Sequence, residues 1–229
     1  VVVKSETGEA KVDTKNVILA TGSRPKTLPG ISVDGKSILT SDDILQLREV
    51  PKSLIVIGAG AVGIEFASMF ARFGSTVTVI EMLPRILPLE DEEISAEAHK
   101  VLAKHMTIHT GAKTEAALKT AGGVEVGFRD AKGESKTVTA ELLLVAVGRG
   151  PVTDGLNLES TKVQLDRGYV KTNHLMATDE GGVFAIGDVV ALPDRAHPQL
   201  AHVASAEGIG VAERLAGHAV AALDYDRVP

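Results

Sequence analysis

Apolar residues in this chain come in short runs broken by Gly, Pro and charged positions, and the period of each run predicts its element. Residues 1–3 and 10–12 flank Gly8 and read as a hairpin, while 16–20 reads as one buried strand ending in a Thr21-Gly22-Ser23-Arg24-Pro25 loop. Pro25, Pro29, Gly30 and Gly35 forbid a helix over 26–36, which reads as a linker. Thr40-Ser41-Asp42-Asp43 can cap a short helix through Arg48, which Pro51 ends. Residues 54–57 are a continuous apolar run of the kind that a parallel strand buried on both faces needs. Residues 58–63 turn that strand into a helix, along which Ile64, Phe66, Ala67, Phe70, Ala71 and Phe73 cover one broad face.

A second strand is predicted at 76–80, then a loop around Pro84 and Pro88. Glu90-Asp91-Glu92-Glu93 opens a helix running to about Lys104. Acids at a helix N-terminus complement its dipole, so this run needs no catalytic role. A third strand is expected at 106–110, a hairpin or meander at 124–128 and 137–139 around Gly133, and a fourth parallel strand at 142–147. After Gly148-Arg149-Gly150-Pro151 come short β pieces near Val163 and Tyr169, a last buried strand at 183–186 and an Ala-rich helix over 200–216. This order predicts an α/β fold with a doubly wound parallel sheet over residues 41–150. Segments 1–40 and 151–229 flank it, each with one buried strand, and neither is a domain by itself.

Composition narrows the function. With 229 residues, 44% hydrophobic and 24% charged, the chain is long enough for one large globular domain or two modest ones. Lys plus Arg number 24 against 30 Asp plus Glu, and two Tyr, five Phe and no Trp leave little for base stacking, so a nucleic-acid partner is not expected. The longest charge-free apolar stretch, 54–64, is 11 residues with three Gly, whereas a membrane span needs roughly 20. No membrane partner is expected. The absence of Cys excludes a disulfide framework, a Cys nucleophile and a dithiol redox centre within these residues. The chain begins at Val1 without Met and stops abruptly after Asp226-Arg227-Val228-Pro229, so it reads as a piece of something longer.

Gly58-Ala59-Gly60-Ala61-Val62-Gly63 matches a dinucleotide-binding fingerprint, a pattern that is weak alone. Here it follows an apolar strand, opens an amphipathic helix, and the next strand ends at Glu81, 18 positions after Gly63, close to the roughly 20-residue offset of a ribose ligand. Gly58 permits the tight turn, Gly60 leaves room for a pyrophosphate, Gly63 lets helix and strand approach, and the helix N-terminus offers N–H groups to phosphates. Glu81 would accept hydrogen bonds from both adenosine ribose hydroxyls and repel a 2′-phosphate. Met82, Leu83 and Pro84 supply no Arg before Arg85, so NAD(H) is favoured over NADP(H). Glu65 lies near the helix start, where an acid is also explained by the dipole. Ala20-Thr21-Gly22-Ser23 and Ala185-Ile186-Gly187-Asp188 each put a Gly after a buried strand, and together they suggest a second nucleotide site built from both flanks.

ATGSRP at 20–25, GAGAVGIE at 58–65, VIEMLPRILP at 79–88, AVGRGP at 146–151, FAIGDV at 184–189 and LAHVASAEG at 200–208 occur in this order. The chain thereby resembles the flavoprotein pyridine nucleotide-disulfide oxidoreductases, and among them the dihydrolipoamide dehydrogenases, as an internal fragment. The resemblance implies an NAD-binding domain at 41–150 inserted into an FAD-binding domain, of which 1–40 and 151–229 are portions. It implies that Thr21, Gly22 and Ser23 lie along FAD, that Asp188 binds a ribityl hydroxyl, and that Gln199, Leu200, Ala201 and His202 pass the flavin. Gly58, Ala59, Gly60, Ala61, Val62 and Gly63, with Glu65 and Glu81, would hold NAD, with Gly148 close by and Ala112 as a further contact.

The family's redox Cys pair and catalytic His–Glu pair would lie outside these residues, so no catalytic residue is assigned in this chain. The parent would oxidise dihydrolipoamide through FAD with NAD+ as hydride acceptor, as a cytoplasmic homodimer within a 2-oxo-acid dehydrogenase complex. The piece itself would bind NAD(H) weakly, retain FAD poorly and turn nothing over. Alternatives are an NADH oxidase or mercuric-reductase-like enzyme of the same architecture, or a non-catalytic nucleotide-binding module. The stretch 191–198 makes the spacing from Asp188 to His202 longer than the family pattern. His105 and His109, about 13 Å apart if extended, and His197 and His202, which flank Pro198, have poor ligand spacing, so no metal is expected.

Overall fold

The computed structural model describes residues 1–228. In chain order the strands and helices are β1 (Val2–Ser5), β2 (Gly8–Lys11), β3 (Val17–Leu19), β4 (Ser23–Pro25), β5 (Ile38–Leu39), α1 (Ser41–Ile44), β6 (Ser53–Ile57), α2 (Ala61–Arg72), β7 (Thr76–Ile80) and α3 (Glu92–Leu102). They continue with β8 (Thr107–His109), β9 (Lys113–Thr120), β10 (Gly123–Arg129), β11 (Ser135–Ala140), β12 (Leu142–Val145), β13 (Arg149–Pro151), β14 (Leu165–Asp166), β15 (Tyr169–Lys171), β16 (Val183–Ala185), β17 (Val190–Ala191) and α4 (Ala201–Leu215). They fall into two compact units, one of Val1–Arg24 with Gly150–Pro229 and one of Pro25–Arg149.

The Pro25–Arg149 unit is built on a five-stranded parallel sheet in the order β5-β12-β6-β7-β8. Its strands are apolar on both faces because both faces are covered. Leu54, Val56, Val77, Val79 and Leu144 pack with Ile64, Ala67 and Phe70 of α2. Ile55, Ile57, Ile80, Leu143 and Val145 pack with Val124, Val126 and Phe128 of the antiparallel meander β11-β10-β9. The alternation along each strand thus sorts side chains into a helix-facing and a meander-facing core. The four predicted parallel strands are present, and the structure adds β5 at one edge and the meander as the second covering layer.

Four local expectations change. The helix capped by Thr40 ends at Ile44 instead of Arg48, although the Thr40–Asp43 capping box forms. Phe73 is 59% exposed, because it is the C-cap of α2 and has left the buried face. Strand β9 has no apolar alternation, and it is held by its pairing to β10. Residues 25–40 group with the second unit: Ile31 and Ile38 lie in its meander-facing core, and β5 forms a sheet edge, so the divide falls at 24/25 and not 40/41.

In the other unit β1 and β2 form a hairpin, β3 pairs in parallel with β16, and β14-β15-β17 form a small mixed sheet. Leu19, Phe184, Ala185, Val189, Val190 and Val211 of α4 share its core. The Ala-rich terminal helix falls where it is predicted, with Leu200 and Ala216 as its caps.

Candidate functional site

The Gly58–Gly63 turn joins β6 to α2 at the carboxyl edge of the parallel sheet. Gly58 has φ +100°, and a Cβ there would lie 2.4 Å from the Ala146 carbonyl oxygen, in the chain leaving β12. A Cβ on Gly63 would meet the Gly58 carbonyl oxygen at 2.0 Å. Both glycines are therefore required by backbone-to-backbone closeness. Gly60 differs: its φ is −71°, and no atom lies within 4 Å of a Cβ placed there. It is the N-cap of α2 and has no side chain to cap the helix. The N–H groups of Ala61, Val62 and Gly63 open the helix there, beside free space. These features suit a phosphate cradle.

Glu81, one residue beyond β7, is only 8% exposed, so it is no solvated strand-end acid. Its Oε2 accepts from the Ala59 N–H at 2.6 Å and its Oε1 from the Leu83 N–H at 2.7 Å. The carboxylate is fastened to the glycine turn itself. A carboxylate has about four acceptor positions, so capacity remains for ribose hydroxyls. Arg85 is engaged elsewhere, with Nη2 donating to the Pro88 carbonyl at 3.1 Å and Nη1 2.8 Å from Glu92. Ala112 is buried, and its N–H donates to the Glu81 carbonyl at 2.8 Å. Gly148 has φ +101° and clear space where a Cβ would stand. Glu65 is exposed and lies beyond the first turn of α2, so the helix dipole does not account for it.

In the other unit, pairing of β3 with β16 aligns Leu19 with Ala185 and brings both strand ends to one edge. Ser23 Oγ donates to Asp188 Oδ2 at 2.6 Å, joining residues 165 apart in the chain. Thr21 Oγ1 donates to the Val152 carbonyl at 2.6 Å, and Gly22, at φ +69°, accepts from the Val152 N–H at 3.0 Å. Arg24 pairs with Asp154. Gln199 holds φ +55°, and its Nε2 reaches the Asp188 carbonyl at 3.4 Å. Leu200 is the N-cap of α4, followed by Ala201 and an exposed His202 in its first turn. Thr21, Gly22, Ser23, Asp188 and Gln199 through His202 thus belong to the Val1–Arg24 and Gly150–Pro229 unit, and the glycine turn with Glu65, Glu81 and Gly148 to the other.

Sequence reasoning passes over one cluster. Glu207 accepts from the Gly187 N–H at 2.7 Å, from Tyr225 Oη–H at 2.6 Å and from His197 Nε2 at 2.9 Å. Burial alone pushes the Glu207 carboxyl up, but the bonds from His197, Tyr225 and Gly187 outweigh it and hold the group below the usual carboxylate range. Burial, together with the bond to Glu207, pushes the Tyr225 hydroxyl up. A signal was available: Val203, Glu207 and Val211 are spaced by four, so the acid sits on the buried face of a helix.

A family model for pyridine nucleotide-disulphide oxidoreductases matches residues 1–208. The chain belongs to this family. Among pyridine nucleotide-disulphide oxidoreductases it is 46% identical over 217 residues to a dihydrolipoyl dehydrogenase of Bacillus subtilis, covering 94% of this chain and 45% of that protein. It is 41% identical to dihydrolipoyl dehydrogenase 3 of Pseudomonas putida, over all of this chain and 48% of that protein. The structure is similar to LpdA from Mycobacterium tuberculosis, with TM-score 0.86 and 28% identity, over 97% of this chain and 47% of that one. The HOCl-induced flavoprotein disulfide reductase RclA from Escherichia coli matches with TM-score 0.82 and 26% identity, over 93% of this chain and 48% of that one. The chain spans about half the length of these relatives.

Proposed function

We propose that this chain carries the NAD(H) site and part of the FAD site of a dihydrolipoyl dehydrogenase. The observation that carries the reading is the turn at 58–63: two glycines closed against backbone, a third with open space at an uncapped helix start, and a buried Glu81 tied to Ala59. Gly58, Ala59, Gly60, Ala61, Val62 and Gly63 would hold the pyrophosphate, Glu81 the adenosine ribose, and Glu65 and Gly148 the flanks. Thr21, Gly22, Ser23, Asp188 and Gln199 through His202 would lie along FAD. When bound, FAD relays electrons and NAD+ accepts the hydride.

The chain's own residues bind and orient. Glu81 presents acceptors and negative charge where a 2′-phosphate would sit, and Arg85 is directed to the Pro88 carbonyl and Glu92. No Cys is present, so the dithiol step belongs to residues outside these 229. By this reading the chain turns over no dihydrolipoamide alone, and the whole protein is a cytoplasmic homodimer serving a 2-oxo-acid dehydrogenase complex. The likeness to RclA supports a second reading, another flavoprotein disulfide reductase of this architecture. Calorimetric titration of the chain with NADH and with NADPH tests the site. NADH is expected to bind at least tenfold tighter, and equal affinities would sink the assignment of Glu81. Retained yellow flavin with dihydrolipoamide turnover would overturn the expected inactivity.

A further inference from the structure

The region around Gly187 holds a buried polar knot that the proposed cofactor contacts leave unused. Glu207 and His197 have side chains 0% and 2% exposed. The Gln199 N–H donates to His197 Nδ1 at 3.0 Å, so Nδ1 carries no proton and Nε2–H donates to Glu207. Both ring nitrogens are engaged and out of solvent. The pair is closed off within the fold, and its role is sought in what it holds. Glu207 Oε2 takes the N–H of Gly187, whose φ is +71°, and the next residue, Asp188, receives the Ser23 hydroxyl. A Cβ on Gly187 would lie 3.1 Å from Ala204 Cβ, so α4 packs directly under the turn. The far side of the knot is strapped down as well: Tyr225 bonds Glu207, and Asp226 pairs with Arg195 at 2.7 Å. The stretch between Asp188 and Gln199 is thus pinned at both ends by one carboxylate, directly at Gly187 and through His197 at Gln199.

We infer that Glu207 is a positioning residue for the flavin dinucleotide, fixing the Gly187–Asp188 turn and the approach of Gln199 through its bonds to the Gly187 N–H and His197. The inference rests on the proposed role of Asp188 and Ser23 toward FAD. A carboxylate suits the task because an ionised acceptor makes short, strong bonds to backbone N–H groups and has room for three donors at once. An amide of the same size would turn one N–H toward those donors.

The test uses the 229-residue chain labelled with nitrogen-15, its Gly187 amide read by NMR, and FAD and NADH affinities measured by titration. In the unaltered chain the Gly187 amide is expected far downfield and protected from hydrogen exchange. In Glu207→Gln that signal moves upfield, FAD binds roughly tenfold more weakly, as loss of a bond to a charged group predicts, and NADH affinity is unchanged. Tyr225→Phe keeps the Gly187 bond, and FAD affinity stays within about twofold. An ordinary, fast-exchanging Gly187 amide in the unaltered chain overturns the inference even where Glu207→Gln does not fold. So does a Tyr225→Phe loss as large as that of Glu207→Gln, since general packing would then set the turn. The chain carries only part of the FAD site, so the titration is carried to saturating FAD; if no binding is seen even there, the flavin assignment fails, and the Gly187 signal still decides whether Glu207 holds the turn.

Discussion

The turn after β6 is six consecutive residues packed backbone against backbone, on itself and on the chain leaving β12, whereas the turn after β16 is held by side chains from four other places in the chain. In the first, Gly58 and Gly63 press backbone against backbone, and Glu81 supplies one carboxylate bonded to Ala59 and Leu83. In the second, Ser23, Asp188, Glu207, His197 and Tyr225 are linked by side-chain bonds across 165, 20, 10 and 18 residues. The contrast is between shape and charge. Backbone closeness tolerates no added atom, while a buried polar knot tolerates changes in size but no unpaired donor.

The largest effect expected from this contrast is at Gly63. Gly63→Val would place a Cβ 2.0 Å from the Gly58 carbonyl oxygen, which the turn holds in place. The loss is expected to be about 3 kcal/mol or more, at the upper end for overpacking. Both tyrosines, Tyr169 and Tyr225, lie outside the Pro25–Arg149 unit. Urea unfolding followed by backbone dichroism should therefore show an early transition that tyrosine fluorescence does not follow. Coincident early transitions by both probes would mean that the turn is not a local device of its unit.

Next comes the knot. Glu207→Ala leaves buried donors on Gly187, His197 and Tyr225 without an acceptor, and about 3 kcal/mol is expected. Here tyrosine fluorescence should report the loss first. Because the carboxyl is held below its ordinary value of 4.5 in the folded chain, its contribution is fully present above that pH. It is lost as pH falls through the lower folded value. The stability gap between the unaltered chain and Glu207→Ala should be constant above about pH 5 and close below it. A gap that stays open in acid would show that the carboxylate charge is not what stabilises the knot.

The same contrast decides what could be read from sequence. The glycine turn at 58–63 was legible because its residues are contiguous, and Gly58 and Gly63 each have a steric reason that survives as a letter pattern. The parallel strands were legible because covering both faces demands unbroken apolar runs such as 54–57 and 142–147. Strand β9 was not, since Lys113–Thr120 is selected by its neighbour β10 and carries no alternation of its own. Nor was the partnership of Glu207 with His197 and Tyr225, because buried hydrogen bonds leave no period. Residues 26–36 looked like a linker for their Pro and Gly content, yet Ile31 belongs to the core of the second unit. Loops that pack through one or two side chains look like spacers in a sequence.

Gly60→Ala separates binding from folding in the first site. With φ −71° and clear space around the added carbon, the substitution should leave the unfolding midpoint unchanged. The carbon would stand in the space proposed for the pyrophosphate, and NADH affinity should fall about tenfold, or about 1.4 kcal/mol. Unchanged NADH binding in this variant would remove the phosphate cradle from the turn while leaving the steric account of Gly58 and Gly63 intact.

The smallest effect is at Ser23. Ser23→Ala removes the 2.6 Å bond to Asp188 at a part-buried position, where a net cost of about 1 kcal/mol is typical. The Gly187 bond to Glu207 is separate from it, so the turn should keep its conformation. Asp188 would lose a donor and gain freedom, so stability should fall slightly while the Gly187 amide signal stays in place. If instead that signal shifts as far as in Glu207→Gln, the turn is held from the Ser23 side. The two halves of the second site would then be one cooperative network and not a turn fixed from beneath by α4.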